Sequence, residues 1–72
     1  MTEEQKRKME EFYNDCSLGI NLSKRCRESA SNKMCVWEEA VKILGYRFEF
    51  EKTDECYGIK YSTYRLVKIE EN

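Results

Sequence analysis

Histidine and proline are absent from the chain, and glycine occurs only at 19, 45 and 58. No apolar run approaches the ~18 residues needed to span a bilayer. Each scarcity excludes something. Without His there is no Ser-His or Cys-His nucleophile pair and no imidazole metal ligand. Isolated glycines form neither GxGxxG nor GxxxxGK[ST], so phosphate-cradling loops are missing. Without Pro and without a biased repeat, linker-like and collagen-like chains are excluded. The first residues, MTEEQKRKMEE, are charged throughout, so no secretory signal is expected. Carboxylate pairs such as Glu38-Glu39 are sequence neighbours, which do not face each other on a helix. Catalysis is therefore not expected, nor is a cofactor.

The chain has 72 residues, 13 basic and 14 acidic, for a net charge of -1. That is one small domain. Leu, Ile, Val and Phe number 14 of the 72, near the ~20% below which chains tend to stay unfolded. Nine aromatics and a nearly balanced charge argue for a fold nonetheless. The expected stability is small, roughly 3–5 kcal/mol. A protein partner, a homodimer or a metal would therefore matter to it.

The four cysteines, at 16, 26, 35 and 56, are separated by irregular gaps and form no CxxC pair. Zinc sites draw on closely spaced ligands, and disulfides need an oxidising compartment. The expectation is four reduced, metal-free thiols, acting mostly as small buried hydrophobes.

Periodicity gives an α+β order: two helices, the second long or broken, then an antiparallel β-hairpin. Thr2 with Gln5 has capping-box spacing, and Met9, Phe12, Tyr13 and Cys16 form one stripe, predicting a helix over 2–15. Gly19 within Ser17–Asn21 reads as a tight turn, with Asn21 or Ser23 capping the next helix. Leu22, Cys26, Ala30, Met34, Trp37, Val41 and Leu44 continue a helical stripe, while Ser29-Ala30-Ser31-Asn32 argues for a bend or break. One helix is favoured, closing with a wide apolar face that includes Val36, Ile43 and Leu44, and with Gly45 just beyond its end. Tyr46, Phe48 and Phe50 alternate with charged residues as a half-buried strand. Thr53–Gly58 reads as the turn, and Ile59–Ile69 as the return strand, with a bulge near Ser62-Thr63 and a solvated tail, Glu70-Glu71-Asn72. Trp37 is expected at the centre of the face that receives Tyr46, Phe48 and Phe50, so its loss should unfold the chain.

Two charge features remain. Glu49, Glu51, Asp54 and Glu55 make the hairpin acidic, and with Tyr57 and Tyr61 they are the candidate partner-binding residues, suited to a basic protein surface. Lys24, Arg25, Arg27 and Lys33 form a local basic patch, the candidate phosphate contact of an alternative reading: a winged-helix nucleic-acid-binding domain with the hairpin as wing. The net charge of -1 and the acidic hairpin count against that alternative.

The segment VWEEAVKILGYRFEFE, followed by YRLVKIEE, resembles the ending of many small proteins carried by phages and mobile elements of low-GC bacteria, in which a helix ends in Gly-Tyr and an alternating strand follows. The likeness covers about half the chain. It implies a cytoplasmic, accessory, non-enzymatic protein, often a regulator or inhibitor of a host protein. No residue role carries over with it. The leading expectation is a protein-interaction module with a host or element-encoded protein as partner and no membrane association.

Overall fold

The computed structural model describes residues 2–70. Two helices, α1 (Glu3–Ile20) and α2 (Lys24–Ile43), precede two antiparallel strands, β1 (Tyr46–Cys56) and β2 (Ile59–Lys68). This is the expected α+β order. Glu71 and Asn72 of the expected tail lie outside the described residues.

The capping box forms as its spacing predicts. Gln5 N donates to Thr2 Oγ1 (3.2 Å) and Thr2 N donates to Gln5 Oε1 (3.0 Å). The helix runs further than 2–15, however, and Gly19 lies inside its last turn rather than in a loop. The reason is tertiary. A Cβ on Gly19 would sit 3.2 Å from the Ala30 Cβ, so glycine lets α2 approach α1 closely there. Ser23 then caps α2 by accepting from Cys26 N (3.1 Å). The weak helix formers at 29–32 do not break α2: Ala30 is buried against α1, and Ser29, Ser31 and Asn32 face solvent. Packing here overrides propensity. With a three-residue connection, the helices form an antiparallel pair touching at Gly19–Ala30, Phe12–Trp37 and Tyr13–Glu38. Gly45, at φ +86°, ends α2 in the left-handed conformation expected of its position.

The buried apolar core is Tyr13, Ala30, Val41 and Leu66. The Tyr13 ring stacks on Phe48 (3.8 Å between centroids) and meets Tyr64 edge-on (5.1 Å). Its hydroxyl donates to Glu38 Oε1 (2.8 Å). Trp37 stacks instead on Phe12 (5.7 Å), so the hairpin aromatics are received by α1 and not by Trp37. The wide apolar face expected at the end of α2 is likewise only partly used: Val41 is fully buried, whereas Val36 and Ile43 are 68% and 85% exposed.

The strands extend beyond the expected bounds. Thr53–Cys56 pair with Ser62–Ile59, and only Tyr57-Gly58 form the turn. Both have positive φ, 51° and 80°, the pattern of a two-residue type I′ connection. The bulge lies at the expected level, but its extra residue is Glu51 on β1, between the Phe50–Tyr64 and Lys52–Thr63 pairs. Thr63, buried, donates its hydroxyl to the Lys52 carbonyl there (3.0 Å).

The two sheet edges differ. Asn14, on α1, accepts from Tyr64 N (2.7 Å) and donates to Tyr64 O (3.1 Å), and Ser17 donates to Ser62 O (2.6 Å). Helix α1 thus takes the place of a third strand along β2. Among the described residues no side chain does this for β1.

Two predictions follow from Tyr13. Replacing it by Ala removes a core aromatic, a loss of ~3–5 kcal/mol, comparable with the whole expected stability, so Tyr13→Ala should show no cooperative melt. Trp37→Ala loses a partly exposed stack, ~0.5–1.5 kcal/mol plus some area, and should keep a cooperative but lowered transition. An unfolded Trp37→Ala would return the tryptophan to the core. Second, burial and then the Glu38 hydrogen bond push the Tyr13 phenol well above its ordinary range. The unfolded chain loses this proton first, so the stabilisation is complete below about pH 10 and declines as pH rises past it. Alkaline melts should show this loss in the wild type and a weaker one in Tyr13→Phe.

Candidate functional site: the acidic hairpin arm

The molecule measures 39 × 23 × 21 Å. Beyond the Glu51 bulge, every residue from Lys52 to Glu55 is exposed. The candidate partner-binding residues all fall on the hairpin, but alternation divides them. Asp54 is paired across the strands with Tyr61, on one face. Glu55, paired with Lys60, points to the other. Tyr57 stands at the tip, fully exposed. Glu49 lies before the bulge and is engaged within the chain, accepting from Arg65 Nη2 (3.3 Å) with Arg47 at 3.9 Å. The acidic residues of the arm without an ion pair among the described residues are therefore Glu51, at the bulge, and Asp54 and Glu55, nearer Tyr57. Partial desolvation and then the Asp54 carboxylate raise the Tyr61 phenol above its usual range, so it is a neutral hydroxyl at physiological pH.

The expected basic patch does not form one surface. At about 100° per residue, Arg25 and Lys33 lie roughly 80° apart on α2, while Lys24 and Arg27 lie on another flank. Arg27 donates from Nε to the Ile20 carbonyl (3.3 Å) at the end of α1, where a cation complements the helix dipole. Arg25 and Lys33 edge an open groove of about 500 Å³ between the helices, which also contains Asp15, Cys16 and Cys26. The groove is open to the surface and runs over the close Gly19–Ala30 contact of the two helices.

The thiols are unpaired, and among the described residues no three His, Cys, Asp or Glu side chains gather as a metal site. Cys26 and Cys35 are exposed, contrary to the expectation of buried small hydrophobes: Cys35 lies off the Ala30–Val41 stripe of α2, and Cys26, on the stripe, sits in the first turn of α2 beside the open groove. Burial pushes the Cys16 thiol up, only partly offset by Lys33. No helix among the described residues is long and apolar enough to cross a membrane.

Sequence reasoning missed the α1 clamp on β2. Its one signal was Asn14, a weak helix former inside an otherwise regular helix. Compared with family models, curated proteins and solved structures, the chain matches none of them.

Alkylation of the native protein should modify Cys26 and Cys35 first and Cys16 last, since the reactive species is the exposed thiolate. Peptide mapping over a time course reads this order. Fast labelling of Cys16 would contradict its placement between the helices.

Proposed function

We propose that this is a non-enzymatic protein-interaction module of a phage or mobile element, a cytoplasmic regulator or inhibitor that docks its hairpin arm on a basic surface of a host or element-encoded protein. The observation that carries the reading is Tyr57. It is fully exposed, and its φ of 51° is unfavourable for a bulky side chain. Type I′ turns favour Asn-Gly, where positive φ is easily adopted. Here a large aromatic occupies the first turn position and touches nothing that stabilises the fold. Such strain is characteristic of positions set by function. Tyrosine at the tip supplies area and a hydroxyl, both enriched at the centres of interfaces. Asp54 and Glu55 near it, with Glu51 further down the arm, add a negative field that steers the arm toward a cationic surface.

Tyr57→Asn separates the two roles. Relief of a strained left-handed residue, on the order of 1 kcal/mol, should raise the melting temperature by about 4–8 °C for a domain of this size. The same change should reduce partner binding. A photo-reactive residue at 57 should yield a salt-sensitive adduct with one protein in lysate of a low-GC bacterium, while the same group at Lys8 of α1 should not. An adduct equally strong from both positions would remove the arm from the reading. A sharp gel shift with DNA or RNA at physiological salt would put the nucleic-acid reading first, since binding through divided basic residues should be lost there.

A further inference from the structure

We infer that the open edge of β1, Tyr46–Phe50, pairs with the same edge of a second copy of this chain, in an antiparallel register centred on Phe48, giving a continuous four-stranded sheet. Two observations fix which backbone groups are free. Asn14 occupies both the N–H and the carbonyl of Tyr64, so the Tyr64–Phe50 pair is one whose backbone groups point away from the partner strand. Ile69 N donates to Gly45 O (2.9 Å), which places Gly45 among the inward-bonding positions. By alternation, the N–H and C=O groups of Tyr46, Phe48 and Phe50 all face outward from β1. They form a regular, unpaired ladder of the kind that templates strand addition. The Glu51 bulge ends it.

The side chains select the occupant and the register. About a two-fold axis at Phe48, Tyr46 lies opposite Phe50 of the second copy, Phe48 opposite Phe48, and Phe50 opposite Tyr46, so one face of the seam is wholly aromatic. On the other face Arg47 lies opposite Glu49 of the second copy, and Glu49 opposite Arg47. Each Glu49 would then stand between its own Arg65 and the second copy's Arg47, completing a row already begun by the 3.3 Å Arg65 contact. Centring the axis one position further, on Glu49, would set two carboxylates against each other, which disfavours that register. Phe50, which meets Tyr64 edge-on across the strands (6.1 Å), is still 57% exposed in the single chain, and this pairing covers its open side.

The arms beyond Glu51 stay free at opposite ends of the dimer, so this inference does not rest on the function proposed above.

Sedimentation equilibrium of the wild type should give twice the chain mass of 8.7 kDa, with the Tyr46, Phe48 and Phe50 amides protected from exchange in the dimer. Arg47→Glu places like charges across the seam twice and should weaken the dimer about tenfold or more. Glu49→Arg should do the same. Mixing the two variants restores both opposite-charge contacts and should return the dimer. Methylating the Phe48 backbone nitrogen in a synthesised chain leaves every side chain and every β1–β2 bond in place; it should give a folded monomer, and it covers the case in which Glu49→Arg does not fold. A single-chain mass at every concentration up to millimolar would overturn the inference. So would a dimer of unchanged affinity in Arg47→Glu or in the methylated chain.

Discussion

Tyr13 is the contact on which the rest of the structure depends. A two-stranded hairpin is marginal in water by itself, and a two-helix pair of this length has little core of its own. The Tyr13 ring lies flat on Phe48 of β1, receives Tyr64 of β2 on its edge, and holds Glu38 of α2 through its hydroxyl. One side chain on α1 therefore touches all three other elements. Its neighbour Asn14 adds the backbone bonds to Tyr64. Ring and amide act on adjacent residues of one helical turn, so the position of the hairpin over the helices and its lateral register along α1 are fixed together.

This arrangement makes the sheet asymmetric. Helix α1 satisfies the outer edge of β2 with the side chains of Asn14 and Ser17, whereas the outer edge of β1 has no such cover among the described residues. The Glu51 bulge then divides the hairpin lengthwise. Before it, alternation directs Tyr46 and Phe48 toward the helices. Beyond it, the strands leave the core, and nearly every residue of β1 is exposed. The extra residue is pinned by the Thr63 hydroxyl on the Lys52 carbonyl, so the division belongs to the ladder itself.

Much of this was legible in the sequence where the signal is local. The capping box at Thr2 and Gln5, the glycine at 45 and the alternation of Tyr46, Phe48 and Phe50 each depend on a few neighbouring residues, and each appears where expected. What failed depends on distant contacts. Gly19 looked like a turn because its closeness to Ala30, eleven positions on, cannot be seen in the pattern. Trp37 looked central because size and spacing do not say which helix a strand meets, and Tyr13 took that place. The acidic candidates all lie on the hairpin, yet Glu49 is engaged with Arg65, sixteen residues away. The basic residues at 24–33 are near in sequence but diverge around the helix. Thr53–Gly58 was read as turn because Asp54 favours turns, although the ladder continues through it.

The bulge and the turn together suggest why so small a chain keeps eleven residues in β1. A hairpin needed only to cover Tyr13 could close soon after Phe50. The strands continue instead for five more pairs that bury little, at the entropic expense of ordering each residue, and they end on a tyrosine in a backbone conformation that resists it. Past the buried Thr63 and the Ser17–Ser62 bond, the extension does not serve the core, since every β1 residue from Lys52 to Glu55 is exposed. It does hold Tyr57 at a defined distance and orientation from the helices, with the carboxylates of Asp54 and Glu55 on opposite faces below it. The part of the chain nearest Tyr13 carries the core, and the part beyond Glu51 carries the exposed arm.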